Sequence, residues 1–329
     1  MAAPYSRERL TKDDKTPVTI ADYGSQALII NAIRHNFPDD AFIGEEDATA
    51  LRSDRHLCDR VWELVSSTHL GDKNDEELLS TMSSPAEMLN AIDLGMSPSG
   101  RKGRVWVLDP IDGTAEFICG GQYAVSLALL EDGQQRVGVL GCPCLSADAT
   151  NMFGGPTETQ EPGNILSAVS GQGATVRPMS RGALLPSRQL TALRDAPLSS
   201  RLRFVDCAKS RSSAVEKHAA TARALGAPWP ASDIVSLQLK WAALATGISD
   251  ALLRLPRRNS KRDWIWDHAG GVLIAEEVGF RITDANGKAI DFGAGRRLEE
   301  NFGWVVAHPE VHGEVLKRVT EIYQANPAL

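Results

Sequence analysis

The chain has 329 residues, 43% of them hydrophobic and 23% charged, a globular composition that excludes disordered and fibrous classes. Lys and Arg number 35 against 42 Asp and Glu, a net charge of −7, which argues against a nucleic-acid polymer or an anionic membrane as the main partner. A small phosphorylated ligand in a local basic pocket stays open.

The length suits one two-lobed unit or two modest domains. Residues 1–11 are polar and carry no signal-like apolar run, and stretches such as 124–130 fall far short of the roughly 18 residues a membrane helix needs. The five cysteines (58, 119, 142, 144 and 207) are odd in number and scattered, so a reducing, cytoplasmic location is expected. The Cys142-x-Cys144 pair sits in the apolar VGVLGCPCL without a second pair and reads as core.

Thr19 to Asn36 predicts a helix, with Ile20, Tyr23, Ala27, Ile30 and Ile33 at spacings of three and four and Thr19 as cap. AFIG at 41–44 is a short strand running into Glu45-Glu46-Asp47. Residues 50–100 mix helical pieces with polar connectors, and 95–103 is a flexible basic loop. VWVLD at 105–109 is a buried strand, and residues 123–141 alternate around Asp132-Gly133, a hairpin signal. Residues 151–201, rich in Gly, Pro, Ser and Thr, read as excursions and edge strands between two halves. Helices follow over 213–225, 236–246, 266–278 and 310–325, with strands at 251–256, 280–284 and 304–308. The alternation favours an α/β or α+β layered sandwich, with lobes at 1–155 and 156–329.

The informative feature is the placement of carboxylates at strand ends and helix starts. An isolated acid such as Asp22 or Asp267 at a helix start is ordinarily a cap or dipole partner. The string Asp109-Pro110-Ile111-Asp112-Gly113-Thr114 is different. Pro110 restrains the backbone so that two carboxylates and the Ile111 carbonyl can converge, while Gly113 and Thr114 offer an anion cradle. Such hard oxygen ligands suit Mg²⁺ with a substrate phosphate. A calcium loop is excluded because the D-x-D-x-D-G spacing and its distal acid are missing.

These stretches, with TPVTIADYGSQ (16–26), FPDDAFIGEED (37–47), GRKGRVWVLDPIDGT (100–114) and WDHAGGVLIAEEVGFRITD (266–284), resemble the inositol monophosphatase superfamily of lithium-sensitive, Mg²⁺-dependent phosphatases. Within it the chain is most similar to the fungal and plant 3′(2′),5′-bisphosphate nucleotidase branch, over nearly its whole length. The resemblance implies the αβαβα sandwich of the sugar-phosphatase type. It implies that Glu45, Asp109, the Ile111 carbonyl, Asp112 and Asp267 hold two to three Mg²⁺, and that Asp22 and Thr114 polarise the attacking water. Gly113, Thr114, Lys209, Arg211, Lys240 and Arg254 become candidates for substrate binding. The implied activity is removal of the 3′-phosphate from adenosine 3′,5′-bisphosphate, and from its sulfate-bearing relative. The implied partner is a small adenine nucleotide, and neither a nucleic-acid polymer nor a membrane; the assembly is a monomer or homodimer.

Departures leave two alternatives. Ala115-Glu116 replaces the Lys-Gly of nucleotidases, Arg211 stands where the family segment has His, and Leu237 replaces a small polar residue. The same chemistry on an inositol phosphate or a specialised metabolite therefore stays open. The short run before the TPVT segment, where the family carries a long helix, leaves a non-catalytic metal- or nucleotide-binding regulator as a further reading.

Overall fold

The computed structural model describes residues 9–11, 17–70, 76–77, 79–98, 101–145, 163–180, 184–191, 193, 197–230, 232–257 and 262–325. Strands β1 (Arg9–Thr11) and β2 (Pro17–Thr19) pair antiparallel and lead into helix α1 (Ile20–Asn36). Thr19 caps α1 in a capping box: its hydroxyl accepts from the Ala21 N–H, and Asp22 accepts from the Thr19 N–H at 2.8 Å. Next come β3 (Ala41–Gly44) and helices α2 (Thr49–Ser53), α3 (Arg55–Ser67) and α4 (Pro85–Asp93).

β4 (Arg104–Asp112), the short helix α5 (Thr114–Ile118), β5 (Ala124–Glu131) and β6 (Gln134–Cys142) follow. The β5–β6 connection is the expected tight hairpin, with Asp132 at φ 51° and Gly133 at φ 79°. β7 (Asn164–Val169), β8 (Ala174–Pro178) and β9 (Arg188–Gln189) complete a seven-stranded sheet in sequential order β3 to β9, antiparallel except for β3 beside β4. The second sheet has five strands in the order β11 (Ser232–Asp233), β10 (Phe204–Asp206), β12 (Ala251–Arg254), β14 (Trp304–Ala307), β13 (Arg281–Thr283). A single 3-10 turn (Ser199–Arg201) precedes β10, and helices α6 (Val215–Ala224), α7 (Leu237–Ala245), α8 (Ala269–Glu277) and α9 (Pro309–Ala325) accompany this sheet.

Strand alternation sorts these elements into five layers. In β4, Trp106 and Leu108 join Phe42 and residues of α1, α3 and α4 in one core, whereas Val105 and Val107 face the other way. There they meet Trp241 of α7, Val272 and Leu273 of α8, and Trp304 and Val306 of the second sheet. Val305 and Ala307, which alternate with those last two along β14, pack outward with Ala222 of α6 and Val315 and Val319 of α9. The result is the helix–sheet–helix–sheet–helix sandwich. A Cβ at Gly271 would collide with Trp241, so the second Gly of WDHAGG is what lets α8 lie against α7.

Three expectations are corrected. Residues 164–178 form inner strands rather than excursions or edges, because Leu166, Ala168, Ala174 and Val176 are buried in the central core; 151–162 lie outside the described residues. The first sheet consequently runs to Gln189, so the division placed at 155/156 falls between hydrogen-bonded β6 and β7. Trp266 to His268 form a turn, and α8 begins only at Ala269. Cys142 is fully buried at the end of β6, as expected of core. No helix among the described residues is long and apolar enough to cross a membrane.

Candidate active site

The carboxylates at 109 and 112 converge because of a break in strand register. Residues three apart on a regular strand point to opposite faces. Between Asp109 (opposite Ser126) and Asp112 (opposite Ala124), β4 spends three steps against two on β5. This bulge at Pro110 restores the parity, so Asp112 joins Asp109 on the face of Val105 and Val107, toward α7 and α8. Gly113 takes φ 90°, and a Cβ there would press on Ser236 at 3.0 Å, so this turn requires glycine.

α7 meets the strand end from the other side. Its cap residue Ser236 and the Gln238 N–H both donate to Asp112 Oδ2 at 2.5 Å, setting that carboxylate on a helix N-terminus. Gln238 also donates to the Trp266 carbonyl at 2.8 Å and accepts from the Gly271 N–H. One residue, through its backbone N–H and its side-chain amide, thus ties Asp112 to the turn that presents Asp267.

Asp109, Asp112 and Asp267 offer oxygens that all lie within 4.8 Å of one another. At an effective dielectric of about 20, each ionised pair at such a separation repels by about 3 kcal/mol. Burial, followed by the fields of Glu45, Asp112, Asp267 and Asp22, pushes the Asp109 carboxyl well above the usual range. Asp267 is raised by burial and by Asp112, and Asp112 by burial against the opposing pull of Ser236 and the α7 amides. Asp109 Oδ1 is buried without a hydrogen-bond partner. An orphaned oxygen amid clustered carboxylates fits a divalent cation held by hard oxygen donors.

The expected residues do not all land in one place. Glu45, Asp109, Ile111, Asp112, Gly113, Thr114, Lys209, Lys240, Arg254 and Asp267 line one cavity of about 690 Å³. The Thr114 hydroxyl donates to the Ile111 carbonyl at 3.0 Å. Asp22 is fully buried and does not line the cavity; its Oδ2 accepts from the Thr19 N–H and hydroxyl, and its field reaches Asp109. Ala21 packs with Ile111 and Phe117, which holds the start of α1 beside the DPIDGT turn. Arg211 is exposed and lies off the cavity. Lys209, Ser210 and Ser212 of the same loop do line the cavity.

Two other expected cations are deeply set. Arg254 donates from Nε to Asp263 Oδ1 at 2.9 Å and pairs with it through Nη2 at 2.8 Å. Asp263 also accepts from Trp304 Nε1 and faces His268 Nε2 at 3.6 Å. Burial works to raise its pKa, but Arg254 and His268 override it and hold the carboxyl well below its usual range. Lys240 is buried on α7; desolvation, then the nearby Arg254, lowers its pKa. A buried Asp206 beneath the 207–212 loop accepts from His218 Nδ1 at 2.6 Å, and His218 Nε2 accepts from the Leu255 N–H.

Sequence reasoning missed a wall of Arg262, Trp264, Trp266 and Arg297 along the same cavity. Trp264 and Trp266 stack at 4.6 Å and 14°, and the Arg297 guanidinium lies 3.3 Å from the Trp264 ring centre. The signal was the WIW spacing, which brings both tryptophans to one side of an extended segment; the arginine arrives from 33 residues on.

With this geometry in place, the comparisons with known proteins are specific. The inositol monophosphatase family profile matches residues 2–324. A 3′(2′),5′-bisphosphate nucleotidase of Emericella nidulans is 42% identical over 95% of this chain and 90% of its own length. That of Schizosaccharomyces pombe is 38% identical over 97% and 88%, and one from Oryza sativa 35% over 94% and 86%. Among solved structures, the Thermotoga maritima IMPase superposes with a TM-score of 0.60 at 20% identity, covering 98% of this chain and 91% of that one. The Staphylococcal IMPase-II bound to 2′AMP gives 0.56 at 18%, over 93% and 87%. The chain belongs to the inositol monophosphatase family.

Proposed function

We propose that this protein is a Mg²⁺-dependent phosphomonoesterase that removes the 3′-phosphate from adenosine 3′,5′-bisphosphate and from 3′-phosphoadenylyl sulfate. The observation that carries the reading is the Asp109–Asp112–Asp267 cluster, with an orphaned buried Asp109 oxygen, in a cavity that Lys209, Lys240 and Arg254 also line. Relatives at 35–42% identity that bear the bisphosphate nucleotidase name support the substrate.

Asp109, Asp112, Asp267, Glu45 and the Ile111 carbonyl would hold two to three Mg²⁺. When bound, Mg²⁺ neutralises the phosphate and activates the attacking water. Asp112 is kept available for this by Ser236 and the α7 amides, which favour its ionised form. The Thr114 hydroxyl donates to the Ile111 carbonyl, and with Asp22 behind the cavity it would polarise the water. Gly113 and Thr114 present backbone N–H groups to the phosphate. Lys240 and Arg254 face the second phosphate, and Asp263 holds the Arg254 fork in position. No side-chain nucleophile is needed. The protein acts as a monomer or homodimer in the cytoplasm, where all five cysteines stay free thiols.

Phosphate release from adenosine 3′,5′-bisphosphate with Mg²⁺, with and without Li⁺, tests this function. Li⁺-sensitive turnover is expected; none at high enzyme concentration ends the proposal. A second reading, the same chemistry on another small phosphate, is favoured by Ala115, Val235 and Leu237, which put apolar surface on the cavity wall. A substrate panel including inositol monophosphate separates the two: preference for the nucleotide by an order of magnitude or more removes the second.

A further inference from the structure

Glu45 sits at the end of β3 on a turn whose peptide groups are held from two sides. On one side, the buried Gln26 of α1 accepts from the Glu46 N–H at 3.0 Å and donates to the Glu46 carbonyl at 2.6 Å. On the other, the peptide group before Glu45 is engaged by a residue 252 positions later in the chain. Arg296 Nη2 donates to the Gly44 carbonyl at 2.7 Å, and Nη1 to the Gly95 carbonyl at 2.8 Å. Gly95 in turn accepts from the Gly44 N–H at 2.7 Å.

The same arginine reaches the other acid-bearing turn. Its backbone carbonyl accepts from the Ile265 N–H at 3.0 Å, and its guanidinium lies 4.8 Å from the Trp266 ring centre. Trp266 immediately precedes Asp267. One residue thus touches the turn of Glu45 and the turn of Asp267, which come from opposite halves of the chain and from different layers.

From this juxtaposition we infer that Arg296 is a positioning residue for the metal centre: it sets the separation of Glu45 from Asp267 and so the affinity for Mg²⁺. The inference rests on the reading of these two acids as metal-holding groups. Groups that orient ligands from behind commonly govern metal affinity by about 10- to 100-fold. The two carbonyls need a planar fork, which a lysine ammonium on its flexible stem does not supply. Electrostatics alone predicts the opposite sign. Removing a guanidinium whose charge is felt by Glu45 and Asp47 lowers the local positive potential and tightens Mg²⁺, whereas releasing the Glu45 turn weakens it.

The experiment is a calorimetric titration of substrate-free protein with Mg²⁺, alongside the Mg²⁺ dependence of phosphate release. Arg296→Ala and Arg296→Lys are each expected to weaken Mg²⁺ by about tenfold or more, with substrate KM at saturating Mg²⁺ changed less than about twofold. Arg203→Ala, which breaks a surface pair with Asp250, serves as the control for general loosening: its melting temperature falls and its Mg²⁺ affinity stays put. Equal or tighter Mg²⁺ binding by folded Arg296→Ala overturns the inference. If circular dichroism shows the alanine variant unfolded, the lysine variant decides by the same criterion. Glu45→Gln separates the underlying reading. Weakened binding there with unaffected Arg296 variants defeats only the positioning role, while undiminished binding in Glu45→Gln defeats both.

Discussion

Two sets of charged groups on the wall of one cavity, an acid end in β4 and the Asp267 turn and a basic end around Arg254, handle their burial in opposite ways. At the acid end, Asp109, Asp112 and Asp267 crowd together, their carboxyls pushed up by burial and mutual repulsion, with Asp109 Oδ1 unpartnered. At the basic end, Arg254 lies against Asp263, and that carboxyl is held down by Arg254 and His268 despite its burial. Arg254 and the α7 amides offset the acids only in part, so their carboxyls stay raised, whereas Asp263 is fully compensated by residues of the chain. A buried charge that a protein neutralises itself is structure; one that it leaves unneutralised is a site.

Neutralising a member of the acid end should therefore cost function and not fold. Asp112→Asn is expected to lower phosphate release by about three orders of magnitude, or roughly 4 kcal/mol of barrier. Its melting temperature without Mg²⁺ should hold or rise, since a repulsive charge is gone. A clear drop in melting temperature would show that Asp112 serves chiefly as structure on the α7 N-terminus.

The basic end should respond in reverse. Arg254→Ala strands Asp263 in the interior, and urea unfolding should report a loss of about 3–5 kcal/mol. Stability within 1 kcal/mol of wild type would mean that His268 and Trp304 suffice for Asp263, and that the two ends are less different than their hydrogen bonds say.

The pH response carries opposite signs at the two ends. The acid-end carboxyls have raised values in the folded, metal-free chain, so their contribution is complete below the usual carboxylate range and is lost as pH rises through the raised values. Asp263 and Asp206 are lowered, so theirs is complete above that range and is lost as pH falls through the lowered values. In chelator, the melting temperature should rise from neutral to mildly acidic pH. Saturating Mg²⁺ should remove that slope and add about 2.7 kcal/mol at a hundredfold excess over Kd. A slope that survives Mg²⁺ would place its source outside the cluster.

The smallest effect is expected at Arg211, exposed beside the cavity rather than in it. Arg211→Ala should change kcat/KM for the bisphosphate less than about twofold, the ordinary result for a solvated surface charge. A tenfold loss in steady-state assays would return this residue to the substrate site.

Much of the site was legible because its grammar is local. The alternation of VWVLD specified which face each residue takes, and Pro110 inside a strand marked the bulge that turns Asp112 onto the face of Asp109. Asp132-Gly133 announced its hairpin through the positive φ it adopts. The inner strands β7 and β8 were hidden because small residues pair well in a sheet roofed by α8 yet look like loop by composition.

The acids and the turn that gathers two of them were readable in contiguous residues, and the resemblance those stretches carry implied the family and, through it, the five-layer sandwich. The balance of the remaining charges depends on which layers meet. That Asp112 rests on the α7 N-terminus 126 residues away, that Arg254 is paired with Asp263, and that Arg296 joins two acid-bearing turns are consequences of layers packing together. The physical reason is that a charge is worth what surrounds it, and its surroundings come from parts of the chain that no local pattern brings together.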